Sequence, residues 1–204
     1  METLDQLLVK AEAAHGHMCP GQILGVRMAM LGLRRLGIEE PRGADRKRLV
    51  TYVEIDRCAT DAISVVTGCR LGKRTLKFRD WGKMAATFVD LESGRAIRIV
   101  ATEGSRELAR QLFPDVEPAR KQQSLAYREL RDEQLFEEQW VKVRVAPSEL
   151  PGFKGERVTC SRCGETVNFG RVQGRNAGQV GAGGEEQLCL RCAEPALQYW
   201  EPEA

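Results

Sequence analysis

Both histidines of this 204-residue chain fall in one pentapeptide, His15-Gly16-His17-Met18-Cys19, and four of its seven cysteines fall in two Cys-x-x-Cys pairs. The pairs are Cys160/Cys163 and Cys189/Cys192. Two thiolates separated by two residues wrap a tetrahedral ion with little backbone strain, and two such pairs close its coordination shell. The sequence therefore predicts a structural zinc site at Cys160, Cys163, Cys189 and Cys192. Two disulfides, or four unrelated thiols, are the bland alternative. The spacer from Gly164 to Leu188 exceeds the common ~15–20 residues. Its stretch Gly178 to Gly184 is glycine-rich and reads as a flexible excursion. A shell filled by four thiolates leaves no position for a substrate, so this ion is expected to hold structure and do no chemistry.

The pentapeptide is the better candidate for activity. Gly16 and Pro20-Gly21 disfavour a continuous helix, and in an extended segment His15, His17 and Cys19 would point to one side. Cys19 directly precedes a helix expected from Pro20, where the helix dipole and free N–H groups favour a thiolate. Cys58, after an expected strand, is its natural companion, with Asp61 three residues on to orient a ligand. These residues define a candidate second metal site of His17, Cys19 and Cys58, with His15 as a further ligand or as a residue that orients one, and with Cys19 and Cys58 as its reactive thiols. Three or four nitrogen and sulfur ligands suit zinc and leave a position for Lewis-acid chemistry. A thiol-redox pair of Cys19 and Cys58 without metal is the competing chemistry. Cys69 reads as a small buried hydrophobe.

The elements that must position these residues follow from apolar periodicity and its breakers. Residues 2–14 read as a helix, and Pro20 to Gly37 as a second whose apolar surface covers more than one face. Val50 to Ile55 reads as a strand, Ala59 to Val66 as a helix ending at Gly68. Lys83–Leu91 and Arg95–Ala101 form a hairpin. Helices over about 105–113 and 117–138 lead to a strand at Trp140–Val145. Pro147 to Gly155 is the expected linker between an α+β core with antiparallel strands, residues 1–150, and a small zinc-finger domain, residues 151–204. In the finger, Leu190, Ala193, Leu197 and Trp200 predict a final helix carrying the second cysteine pair, a treble-clef-like order.

Composition narrows the class. With 42% hydrophobic and 29% charged residues and a net charge of +2, the chain is globular and lacks the field of a nucleic-acid binder. Residues 151–204 carry six basic and seven acidic residues, so a protein partner for the finger is expected over nucleic acid. The metal-type cysteine spacing suits a reducing compartment, and no apolar run suits a membrane span, so a cytoplasmic protein is expected.

Two segments carry a family resemblance. His15-Gly16-His17-Met18-Cys19-Pro20-Gly21, running into Gly25-Val26-Arg27-Met28, is similar to the opening signature of the FmdE family, named for the E component of formylmethanofuran dehydrogenase. The second comprises Cys58-Ala59-Thr60-Asp61-Ala62-Ile63, then Thr67-Gly68-Cys69-Arg70-Leu71-Gly72-Lys73 and Asp80-Trp81-Gly82-Lys83. The resemblance covers most of residues 1–150, and some family members carry a C-terminal zinc finger. It implies a homodimer with the His/Cys site near the shared interface, and a link to one-carbon or molybdenum/tungsten enzyme metabolism. Nothing in the chain resembles a pterin-binding or iron–sulfur sequence. Arg70 and Arg74 depart from the small or polar residues expected around the Gly72-Lys73 turn. Lys73 and Lys83 are candidate anchors for an anionic or carbonyl-bearing ligand. Whether the protein is an enzyme, or a finger-bearing adaptor or regulator, stays open at this point.

Overall fold

The computed structural model describes residues 2–175 and 186–201. The chain divides into two units, Met1–Val145 and Ala146–Ala204. The glycine-rich stretch 178–184 lies outside the described residues.

In the first unit, α1 (Leu4–His15) starts on a Thr3/Gln6 capping box and stops at Gly16, whose φ of 93° is left-handed. α2 (Pro20–Leu36) begins with proline at its first position and stops at left-handed Gly37. β1 (Leu49–Val53) leads through a short loop to α3 (Cys58–Thr67), and then to β2 (Leu76–Phe78). β3 (Ala85–Asp90) and β4 (Ala96–Ala101) form the expected hairpin, followed by α4 (Gly104–Leu112), α5 (Ala119–Glu129), the single turn α6 (Asp132–Leu135) and β5 (Phe136–Val141). The strands make one sheet in the order β2-β1-β3-β4-β5. It is mixed, because β2 joins β1 in parallel while the remaining pairs are antiparallel.

α2 packs on one face of the sheet, where Leu49, Val53, Ala86, Phe88, Ile97 and Ile99 share one buried cluster with residues of α1, α2 and α3. On the other face Val50, Val89 and Ala96 are buried with Tyr52, Leu91, Val141, Val143 and Val145. α2 is the central helix: Ile23, Leu24, Val26, Met28, Leu31, Leu33 and Leu36 are all buried within one chain. Its wide apolar surface is therefore covered by its own domain and gives no argument for a second copy. Where α2 crosses α3 the chains come very close. A Cβ added at Gly25 would lie 2.5 Å from the Ala59 carbonyl oxygen and 2.8 Å from the Ala62 Cβ.

Two expected elements are corrected. The helix over 117–138 ends at Glu129, since Leu130 is extended (φ −58°, ψ 142°). The strand expected at Trp140–Val145 begins instead at Phe136, where pairing with Ala101 and burial of Leu135 and Phe136 outweigh the helix propensity of Glu137 and Glu138. β2 is an addition that periodicity does not predict.

In the second unit, β6 (Val158–Thr159) and β7 (Thr166–Val167) flank the first cysteine pair, and β8 (Val172–Arg175) pairs with β9 (Glu186–Cys189) ahead of α7 (Leu190–Ala193). The order knuckle, hairpin, helix is present. The final helix is one turn and does not reach Trp200, because Pro195 cannot continue the hydrogen-bond ladder.

Candidate metal centre

The four cysteines of the second unit converge. Their sulfurs lie within 4.8 Å of one another, and Cys163 Sγ is 3.9 Å from Cys189 Sγ. Four thiolates about 2.3 Å from a tetrahedral ion stand roughly 3.8 Å apart, so the spacing fits. Gly164, left-handed at φ 73°, turns the knuckle and donates its N–H to the Cys160 carbonyl at 3.0 Å. The Cys189 N–H donates to Cys160 Sγ at 3.3 Å. With backbone N–H groups of Cys163 and Cys189 aimed at it, the Cys160 thiol is lowered to about 6. Cys192 is pushed up to about 12 by burial and by the thiols beside it. One pre-formed thiolate beside crowded thiols is a donor set that a divalent cation would relieve. The only apolar cluster of this unit among the described residues joins Cys160 and Cys192 to Leu188 and Ala193, too little to hold it unaided.

The second cluster is built where α1 ends and α2 and α3 begin. His15 is the last residue of α1, left-handed Gly16 reverses the chain, and Cys19 is the extended residue capping α2. This corrects the expected backbone. The pentapeptide is a helix–turn–helix join, because Gly16 closes the helix on the Glu12 carbonyl. The convergence arises all the same: ligand atoms of His15, His17 and Cys19 lie within 4.8 Å of one another, with the two rings 4.8 Å apart. Asp61 Oδ2 lies 2.8 Å from His15 Nδ1. A carboxylate there fixes Nδ1 as the donor and leaves Nε2 with its lone pair for an ion.

Cys58 opens α3 beside Cys19 but does not belong to the set whose donors are mutually within 4.8 Å. Burial, and then the adjacent Cys19 thiol, push the Cys58 thiol up. Gly21 permits the approach: a Cβ there would lie 3.2 Å from Cys58 Cβ and 3.7 Å from Cys19 Sγ. Gln22, fully buried, ties the two helix starts by donating from Nε2 to the Cys58 carbonyl at 2.6 Å. Cys69 is a buried thiol pushed up by burial and held by Thr51 Oγ1 at 3.5 Å.

His15, His17, Cys58 and Asp61 line a pocket of about 610 Å³, completed by Asp56, Arg57, Thr60 and Arg120. Lys73 and Lys83 do not line it. Lys73 is exposed in the turn before β2, and Lys83 sits over the Trp81 ring at 5.7 Å. Arg57 was legible as the neighbour of Cys58, although sequence reasoning passed over it. Arg120 reaches the pocket from α5, and no local signal joins it to residues 15–61.

A family model described as FmdE, molybdenum formylmethanofuran dehydrogenase operon, matches residues 14–145. A probable S-adenosyl-L-methionine-binding protein from Archaeoglobus fulgidus is 32% identical over 210 residues, covering 93% of this chain and 53% of that protein. The chain thus spans about half the length of that curated relative. The crystal structure of a tungsten formylmethanofuran dehydrogenase FmdE-like protein from Syntrophus aciditrophicus is similar in fold, with a TM-score of 0.61 and 22% identity over 97% of this chain and 95% of that one.

Proposed function

The chain belongs to the FmdE family, and from that premise we propose that it is a metal-binding protein with two zinc sites of different purpose. The ion at Cys160, Cys163, Cys189 and Cys192 reinforces the small apolar cluster that Leu188 and Ala193 form with these cysteines. The ion at His15, His17 and Cys19, with Cys58 at its edge, faces a pocket. The observation that carries this reading is the convergence of ligand atoms of His15, His17 and Cys19 within 4.8 Å of one another, beside a carboxylate, Asp61 Oδ2, that lies 2.8 Å from His15 Nδ1. A zinc ion held there would supply Lewis-acid chemistry. His15 and His17 bind it, Asp61 holds the His15 proton at Nδ1, and Gln22 fixes Cys58 against Cys19.

The competing thiol-redox reading needs Cys58 or Cys19 to be an easily formed thiolate. Its test is selective alkylation at neutral pH: rapid, metal-independent modification of Cys19 would favour it over the metal reading. The family resemblance supports a homodimer and a role beside one-carbon or molybdenum/tungsten enzymes in the cytoplasm. No helix among the described residues is long and apolar enough to cross a membrane. The S-adenosyl-L-methionine of the Archaeoglobus relative is not carried over, since half of that protein has no counterpart here.

Elemental analysis of the purified chain is expected to give two zinc ions per protomer. His17→Ala with Cys19→Ser should give one, and Cys160→Ser with Cys163→Ser should remove the other. A wild-type count of one that the first pair of substitutions leaves unchanged rejects the pocket site. Light scattering on the same sample is expected to give twice the 22.8 kDa of a single chain; a monomer mass rejects the dimer.

A further inference from the structure

The pocket beside the His/Cys cluster has a second chemical character. Its wall carries two guanidiniums, Arg57 from the residue that caps α3 and Arg120 from the first turn of α5. Among the described residues neither guanidinium has a hydrogen-bond or ion-pair partner. Three less exposed arginines of the same unit are paired: Arg27 with Asp132 at 2.7 Å, Arg48 with Asp90 at 2.8 Å, and Arg98 with Glu54 at 2.7 Å. Of the two carboxylates on the pocket wall, Asp61 is engaged by His15, which leaves Asp56 alone against two cations.

We infer that this pocket binds an anionic small molecule whose carboxylate or phosphate is held by Arg57 and Arg120 while its other end faces His15, His17 and Cys58. A planar guanidinium offers a fork of donors matched to both oxyanions. Arg57 is not spent on its helix, for its side chain makes no capping bond. Some 610 Å³ is the size of a metabolite site and far exceeds what a lone inorganic ion fills. The anchoring role expected of Lys73 and Lys83 thus passes to two arginines that share the pocket with the metal-type donors. The inference builds on the metal reading for the far end of the ligand, but its anion-binding half stands without an ion.

Calorimetric titration of the purified chain with succinate, with pyrophosphate and with uncharged succinamide tests it. At least one of the two anions is expected to bind at millimolar concentration or below, and succinamide is not. Carboxylate and phosphate sources are separated by which anion binds. Loss of charge-assisted bonds worth about 1.5–3 kcal/mol predicts that Arg57→Gln with Arg120→Gln weakens binding at least about tenfold. Lys73→Gln with Lys83→Gln should leave it unchanged. Both arginines are exposed, so the fold should tolerate their loss, and an unchanged thermal midpoint checks this. Absence of binding by either anion overturns the inference, as does binding that ignores the arginines or follows the lysines. Metal content of the same samples keeps the two readings apart. Arginine-dependent binding to a chain with one ion sinks the pocket metal alone, whereas two ions with arginine-independent binding sinks this inference alone.

Discussion

Asp61 determines which nitrogen of His15 is available, because a carboxylate 2.8 Å from Nδ1 holds a proton on that side and leaves the lone pair on the other. Asp61→Asn keeps the shape and removes the charge. It is expected to lower zinc affinity at the His15/His17/Cys19 cluster about 10–100-fold, read by competition with a chromophoric chelator, while leaving the four-cysteine ion untouched. Equal affinity in the variant would show that Asp61 has no part in the site. At this scale the cysteine pairs were legible because a two-residue spacing is itself a geometric constraint. His15, His17 and Cys19 were legible because they are near neighbours, although the backbone that joins them is a left-handed helix stop and not an extended run. Arg120 and Gln22 were not legible. Their places depend on how distant helices pack, and an isolated arginine or glutamine carries no local mark.

The elements explain why the two thiol-bearing helix starts meet. α2 presents Gly21 and Gly25 four residues apart on one face, and α3 presents Ala59 and Ala62. Small residues let the two backbones approach until Cys58 packs beside Gly21. Gly25→Ala sets two effects in opposition. Helix propensity favours alanine by about 1 kcal/mol, but the new methyl would sit 2.5 Å from the Ala59 carbonyl, a backbone atom that cannot rotate away. Overpacking of this kind costs about 1–3 kcal/mol, so the clash wins. Urea denaturation should show net destabilisation, accompanied by weaker binding at the His/Cys cluster; a more stable variant would mean that α3 is free to move off. Helix ends were easy to read, since Gly16, Gly37 and Gly68 all lie in the left-handed region, a local demand. β5 was misread because its residues Glu137 to Trp140 are exposed, leaving no alternation to mark an edge strand. β2 escaped because its three residues gain their place only from the parallel pairing with β1. Pro195 was visible and its consequence for the last helix was overlooked.

At the scale of the whole chain the two units hold themselves together differently. The first has an apolar core spanning helices and sheet, whereas among the described residues the second clusters Leu188 and Ala193 with its own cysteines. Removing metal with a strong chelator should therefore collapse the amide spectrum of residues 146–204 while residues 2–145 keep theirs. Acid should act in the same direction. The Cys160 thiol is lowered from 9.0 to about 6, so its contribution is complete above its unfolded value and is lost as pH falls through about 6, where protons displace the ion. Persistence of both spectra at pH 5 without metal would show that the second unit needs no ion.

The central claim is that one chain carries two metal sites of unlike ligation, and an anomalous-difference map collected on either side of the zinc edge tests it most directly. Two peaks per protomer are expected: one enclosed by Cys160, Cys163, Cys189 and Cys192, the other between His15, His17 and Cys19 with Cys58 close by. A map with density at the four cysteines and none between the two histidines, from crystals grown with excess zinc, would contradict it.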